Sequence, residues 1–402
     1  MKKIKNFAKT FDDGVLELSE NLLNKKIGEH IRLMPDTHIG KGSAIGFTAK
    51  MTDRIAPEVV GVDIYCGMSI AKLKGKNLIF ADFDRYIKEN IPNGYDKKHI
   101  YDTHHKDIKY ITKNKFIEQF IDILSPEIKT EMKDPTWYYR QLGSLGSGNH
   151  FIEIDKDETT KELFLTIHSG SRGFGAYICS FWQNKAIEQR KNAFALKRAE
   201  ILEKLKTAEN KDKATFAAIL SKLNRKEKEK ETAYLVGEWK EKYLQDMRVA
   251  QKYGKLNREL MIKIIAEKYP LTFWFDSPHN FIDEYDIIRK GATSARKGEY
   301  LIIPLNMKAG ILICEGKGNE DWNFSAPHGA GRLMSRRKAF ETLNLKDAEQ
   351  EMEGVFTTTL TAKTLDEAPK VYKDPNEIIE LIEPSVKIIK NIKSIYNFKG
   401  SN

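Results

Sequence analysis

The chain has 402 residues, 41% hydrophobic and 31% charged, which fits a soluble globular protein, and no run is apolar enough to cross a bilayer. A formal charge of +10 points to a polyanionic partner, and three cysteines exclude a disulfide framework. The length exceeds that of one ordinary compact core, so one main domain with an insertion is expected.

The first six residues carry the charge of a signal peptide's opening, but Phe11-Asp12-Asp13-Gly14 arrives before any hydrophobic stretch. A cytoplasmic location is therefore expected. Segments 45–50, 69–73, 163–168 and 300–304, rich in branched and aromatic residues, predict short strands. Glycine-bearing loops with polar motifs lie between them, as in an α/β or mixed α+β scaffold. From 184 to 267 the composition turns to Lys, Glu, Ala and Leu without proline. Leu196, Ile201, Leu205, Phe216, Ile219, Leu220 and Leu223 recur there at helical spacing. This stretch reads as a helical insertion in one catalytic domain spanning residues 1–402. Residues 374–399 predict a final helix followed by a short terminal segment.

Asp63 and Cys66 are separated by two residues, so one turn can aim both side chains at a single ion. An Asp-x-x-Cys pair alone is commonplace, and a loop carboxylate beside a core thiol explains it equally well. Five of the nine histidines, His38, His150, His168, His279 and His328, sit among glycines, prolines and small residues rather than on helix faces. Asp63, Cys66, His150, His168 and His279 together suit a pair of transition-metal ions. The thiolate favours zinc or iron over manganese on softness alone. Cys179 and Cys314 have apolar neighbours and read as inert core thiols.

Segments 143–149 and 169–175 combine glycines with hydroxyls, as phosphate-cradling loops do, and Arg172 adds a guanidinium. Neither ends in Gly-Lys-Ser/Thr, which argues against a P-loop. In Ser325-Ala326-Pro327-His328-Gly329-Ala330-Gly331-Arg332 an imidazole is held where it can attack phosphorus, with Arg332 to neutralise the charge that develops. Spacing leaves open a further metal-ligand or core role for His328.

Segments 34–40, 61–68, 146–153, 168–173 and 325–332 resemble, in wording and order, the RtcB-type RNA-splicing ligases. The likeness runs from about Met34 to Gly400, apart from much of the helical stretch. It implies a ligase joining RNA ends that bear a 2′,3′-cyclic phosphate or 3′-phosphate to 5′-hydroxyl ends, with GTP and two manganese ions. Carried over, Asp63, Cys66, His150, His168 and His279 hold the metals and His328 becomes guanylylated. Arg172 and Asp36 assist catalysis, with His38 as a further support. Asn149, Glu153, Pro327, Gly329, Ala330, Gly331, Arg332 and Lys399 surround the nucleotide. An activating protein is a candidate partner. Family members usually carry a Gly-Ser-Met-Gly loop where this chain has Leu305-Asn306-Met307-Lys308, which bears on guanine preference. The competing reading is a dinuclear metal phosphoesterase that acts on RNA ends without joining them.

Overall fold

The computed structural model describes residues 3–75, 77–94, 110–207, 209–228 and 232–400. A five-stranded sheet has the order β1 (Ile4–Asn6), β2 (Gly28–His38), β3 (Ile45–Met51), β9 (Ile287–Lys290), β8 (Asn280–Ile282). A seven-stranded sheet has the order β11 (Tyr300–Asn306), β12 (Gly310–Gly316), β14 (Val386–Lys399), β5 (Phe151–Lys156), β6 (Leu163–Ser169), β4 (Gly67–Leu73), β7 (Leu271–Pro278). A two-stranded pair joins β10 (Ala292–Ser294) to β13 (Ser325–Pro327). With its helices, this is the mixed α/β architecture expected.

The seven strands are antiparallel throughout, and the sheet curls until Ile302 N–H on β11 donates to Ser277 Oγ on β7 at 3.2 Å. Side chains alternate between two faces of a strand. Inside the curl, Met68, Ile70, Phe151, Phe164, Ile302, Ile311, Ile313 and Ile392 pack together. On the other face Ile152, Ile154, Leu165 and Ile167 pack on Phe83 and Ile87 of α2 (Phe80–Asn90; the first helix, α1, is Gly14–Asn24) and on Met261 and Ile265 of a long helix. Each fully buried aliphatic contributes roughly 1.5–3 kcal/mol. The same alternation puts Glu153, Thr166 and His168 on the inner face, where Phe151 pairs with His168 and Glu153 with Thr166. One end of the curl is therefore apolar and the other polar.

Residues 184–267 are largely helical but divide into two parts. In α3 (Arg172–Thr207) the buried residues end at Ala186, and α4 (Asn210–Lys228) shows none among those described. The two helices touch through Arg198 Nε donating to Asn224 Oδ1 at 3.1 Å. Leu196 is 73% exposed. By contrast α5 (Gly237–Ala266) is core, burying Leu244, Met247, Tyr253, Leu260, Met261 and Ile265. The peripheral arm is thus α4 and the outer half of α3, and α5 belongs to the body.

The C-terminal expectation is corrected. Residues 374–399 hold a seven-residue helix, α6 (Pro375–Leu381), and then the 14-residue strand β14 inside the large sheet. The apolar residues of 386–399 are mostly β-branched or aromatic, and their alternation with polar residues is a strand's period rather than a helix's.

Candidate active site

All five histidines flagged in the sequence stand at strand ends. His38 closes β2, His150 immediately precedes β5, His168 lies one residue from the end of β6, His279 joins β7 to β8, and His328 follows β13. Asp63 and Cys66 come from the turn before β4, where Tyr65 takes φ +59°. That turn is pinned by Tyr65 N–H donating to Asn280 O at 2.7 Å, Asn280 Nδ2 to Asp63 O at 3.1 Å, and His279 N–H to Cys66 O at 2.8 Å. Gly170 lets Asp63 approach, because a Cβ there would lie 2.0 Å from Asp63 Oδ1.

The donor atoms converge. His150 Nε2 is 2.9 Å from Asp63 Oδ2 and 3.4 Å from Cys66 Sγ. His168 Nε2 is 3.3 Å from both Cys66 Sγ and His279 Nε2. Backbone carbonyls orient two of the rings: Nδ1 of His168 is 3.1 Å from Asn149 O, and Nδ1 of His150 is 3.0 Å from Leu145 O. A carbonyl can only accept, so His168 Nδ1 carries the proton and its Nε2 presents a lone pair, while His150 turns its Nε2 to the same centre. Lone pairs of nitrogen, sulfur and carboxylate oxygen facing one another at these distances suit a transition-metal cation between them.

Electrostatics agree with that fit. Burial opposes ionisation of Asp63, but the His150 hydrogen bond and the charges of His150 and Arg172 outweigh it and hold the carboxyl well below its usual range. Burial pushes His168 and His279 far down, so both imidazoles are neutral. Burial and the neighbouring Asp63 push the Cys66 thiol up, so cation binding there must release its proton. Cys179 and Cys314 are buried, and burial raises each to about 12.

His328 belongs to the same cluster. Its ring centroid is 4.7 Å from that of His279. Its Nδ1 is 2.6 Å from Asp36 Oδ2, and its backbone N–H donates to the same oxygen at 3.2 Å. Asp36 is fully buried. With Nδ1–H committed to that carboxylate, Nε2 is left with the free lone pair.

A cavity of about 400 Å³ opens beside it, lined by His38, Asn149, Glu153, His168, His328, Gly329, Ala330, Gly331, Arg332 and Lys399 among others. Pro327 is not in the lining; it pairs with Ala292. Arg172 is not in the lining either, and sits behind the metal-type cluster with Nη1 3.1 Å from His150 Nδ1. Arg332 is in the wall but engaged, with Nη1 donating to Glu367 Oε1 at 3.1 Å. On the cavity floor, burial pushes Glu153 up to about 7 against the pull of Ser394 and Lys399. One oxygen of Glu153 and both amide atoms of Asn397 are buried without a partner.

Sequence reasoning missed the parts that carry no motif. Glu367 is buried and receives Lys399 Nζ at 3.4 Å and Tyr372 OH at 2.6 Å. Burial opposes its ionisation, but Lys399, Arg336, Tyr372 and Arg332 hold it below the usual range. On α5, Arg258 donates to both oxygens of Asp276 at 2.8 Å and to the carbonyls of Tyr65 and Ser169 at 2.8 and 2.7 Å. Its neighbour Asn257 accepts from Gly143 and Ser144 N–H at 2.8 and 3.2 Å. These two side chains hold the Asp63–Cys66 turn and the glycine loops in register.

That arrangement revises the phosphate-loop reading. The N–H groups of Gly143, Ser144, Leu145, Ser171 and Gly173 are bonded within the protein, to Asn257, Pro92, Asp63 and Gln141. These five amides are spent inside the protein and are not bare donors for phosphate.

Residues 22–400 match the family described as tRNA-splicing ligase RtcB. The chain is 31% identical to RNA-splicing ligase RtcB1 of Escherichia coli strain ATCC 25922, and 30% identical to RNA-splicing ligase RtcB of strain K12. Each alignment covers 93% of this chain and 91% of the relative. The tRNA-splicing ligase RtcB of Methanococcus maripaludis is 26% identical over 88% of this chain and 84% of its own length.

Proposed function

Since the chain belongs to the RtcB family, we propose that it is an RNA ligase joining 2′,3′-cyclic phosphate or 3′-phosphate ends to 5′-hydroxyl ends, with GTP and manganese, in RNA repair or tRNA splicing. The observation that carries this reading is the pairing of buried Asp36 with His328 beside a five-donor cluster, at the wall of a cavity of about 400 Å³. A hydrolytic phosphoesterase shares the need for the cluster and could use the same dyad to move a proton, so covalent label on His328 separates the two readings.

Two manganese ions bound by Asp63, Cys66, His150, His168 and His279 would supply the positive charge that neutralises the phosphates. His328 Nε2 attacks the α-phosphorus of GTP and pyrophosphate leaves in line. Asp36 accepts the Nδ1–H bond and stabilises the imidazolium that the new P–N bond creates. The guanylate passes to an oxygen of the RNA 3′-phosphate, which restores His328. The 5′-hydroxyl then attacks that 3′-phosphorus and GMP departs. Glu153, Asn149 and Lys399 hold the guanosine from the floor and walls of the cavity, and the 5′-hydroxyl strand enters through its mouth.

Incubation with GTP labelled at the α-phosphate and manganese tests the reading. The protein takes up acid-labile label, and His328→Ala abolishes it. Label retained by the variant overturns the assignment. A wild type that strips the 3′-phosphate without joining is a phosphoesterase.

A further inference from the structure

The steps above leave one proton without an acceptor, that of the attacking 5′-hydroxyl. Most acidic groups around the cavity are already engaged. Asp36 is fully buried and bonded to His328. Glu367 holds Lys399 and Arg332 on the floor side. Asp12 accepts from Ile39 N–H at 2.9 Å. Glu153 sits on the buried floor, the side assigned to the guanosine.

His38 is placed differently. It is half-buried, lines the cavity with His328, and precedes Ile39, which lines the same cavity yet is 54% exposed. Leu333, 59% exposed, also lines it. These exposed residues mark the mouth, whereas Glu153 and Lys399 are buried. A polynucleotide is too large for the interior, so its reacting end meets His328 from the mouth side.

The tautomer is set by the backbone. His38 Nδ1 is 3.0 Å from Asp36 O, which can only accept, so Nδ1 carries the proton and Nε2 presents a lone pair. No described residue is hydrogen-bonded to that Nε2. Burial is the main influence on this ring and lowers its proton affinity, as do the charges of His328 and Arg332. The carbonyl and carboxylate of Asp36 act in the opposite sense. The net result keeps it neutral at pH 7, the form a base requires.

We propose that His38 is the general base of the sealing step, and this rests on the ligase reading above. The 5′-hydroxyl oxygen forms its bond to the activated 3′-phosphorus as its proton passes to His38 Nε2. The bond from that phosphorus to the GMP oxygen breaks, and GMP leaves with the electron pair. His38 then returns the proton to solvent. Asp36 thereby serves two imidazoles, His328 through its side chain and His38 through its carbonyl.

The test resolves the steps with 3′-phosphate RNA, a 5′-hydroxyl strand, GTP and manganese. In His38→Gln, sealing of the activated RNA falls on the order of 100-fold or more, so RNA ending in a diphosphate-linked guanosine accumulates. Protein guanylylation falls by no more than a few-fold. The rising limb of the wild-type sealing rate with pH is lost, and added imidazole partly restores sealing in His38→Ala. Unchanged sealing overturns the proposal, as does a fall in guanylylation equal to that in sealing. Wild-type protein that takes up no label would instead sink the ligase reading itself.

Discussion

Asp36 Oδ2 lies 2.6 Å from His328 Nδ1, although 292 positions separate the two residues in the chain. The carboxylate fixes which ring nitrogen is free and, in the mechanism proposed above, would balance the charge that guanylylation places on the ring. Asp36→Asn should keep the shape but supply a donor amide in place of the acceptor. Label uptake from GTP should fall at least 100-fold with metal content unchanged. An unaltered rate would remove Asp36 from the chemistry.

Cys66 Sγ touches two imidazoles of the cluster, those of His150 and His168. Replacing it with alanine removes a donor from the centre of the cluster. Manganese retained after dialysis, read by elemental analysis, should drop by 10-fold or more. Retention equal to wild type would return Cys66 to the role of a core thiol.

Glu153 bears on stability through pH. Burial lifts it from 4.5 to about 7 in the folded protein, so the folded state holds its proton more tightly than the unfolded chain does. The stabilisation is fully present below about pH 4.5 and is lost as pH rises through about 7. Metal-free Glu153→Gln should gain stability relative to wild type across that window, by a few kcal/mol at its upper end. A difference between the two denaturation curves that stays flat with pH would contradict this.

Arg258 is fully buried and bonded to Asp276 and to the carbonyls of Tyr65 and Ser169. Arg258→Ala leaves Asp276 buried without its cation. A loss of about 3–5 kcal/mol in urea unfolding is expected. A loss below 1 kcal/mol would mean that water substitutes readily there.

The arm of α4 and outer α3 buries almost nothing, and from Ile187 to Lys228 it carries 12 Lys and Arg against six Asp and Glu. Replacing residues 191–228 with a short Gly-Ser linker should leave guanylylation within about two-fold while weakening the joining of structured RNA, more so at low salt. Equal loss of both activities would show that these helices support the body.

Much of the site was legible because its chemistry sits in short segments with unusual residue content. Asp63, Cys66 and the histidines lie among small residues that let backbone and ligand approach, and the structure brings them within a few ångströms. Glu367 and Asn397 were not legible, since a carboxylate between short helices and an amide on a strand resemble ordinary surface residues until burial is known. Arg258 was hidden by composition, because a Lys- and Glu-rich helix reads as solvated even when one of its faces is core. Strand β14 was mistaken for helix because the short α6 precedes it directly.

The position of β14, between β12 and β5 and ending in a cavity lysine, sets an order of events during synthesis. Every other strand of the large sheet leaves the ribosome before residues 386–399, yet β12 and β5 cannot be bridged until those residues emerge. A nascent chain therefore holds its histidines, cysteine and aspartates with the sheet still split, and the cavity is complete only when translation has passed that point.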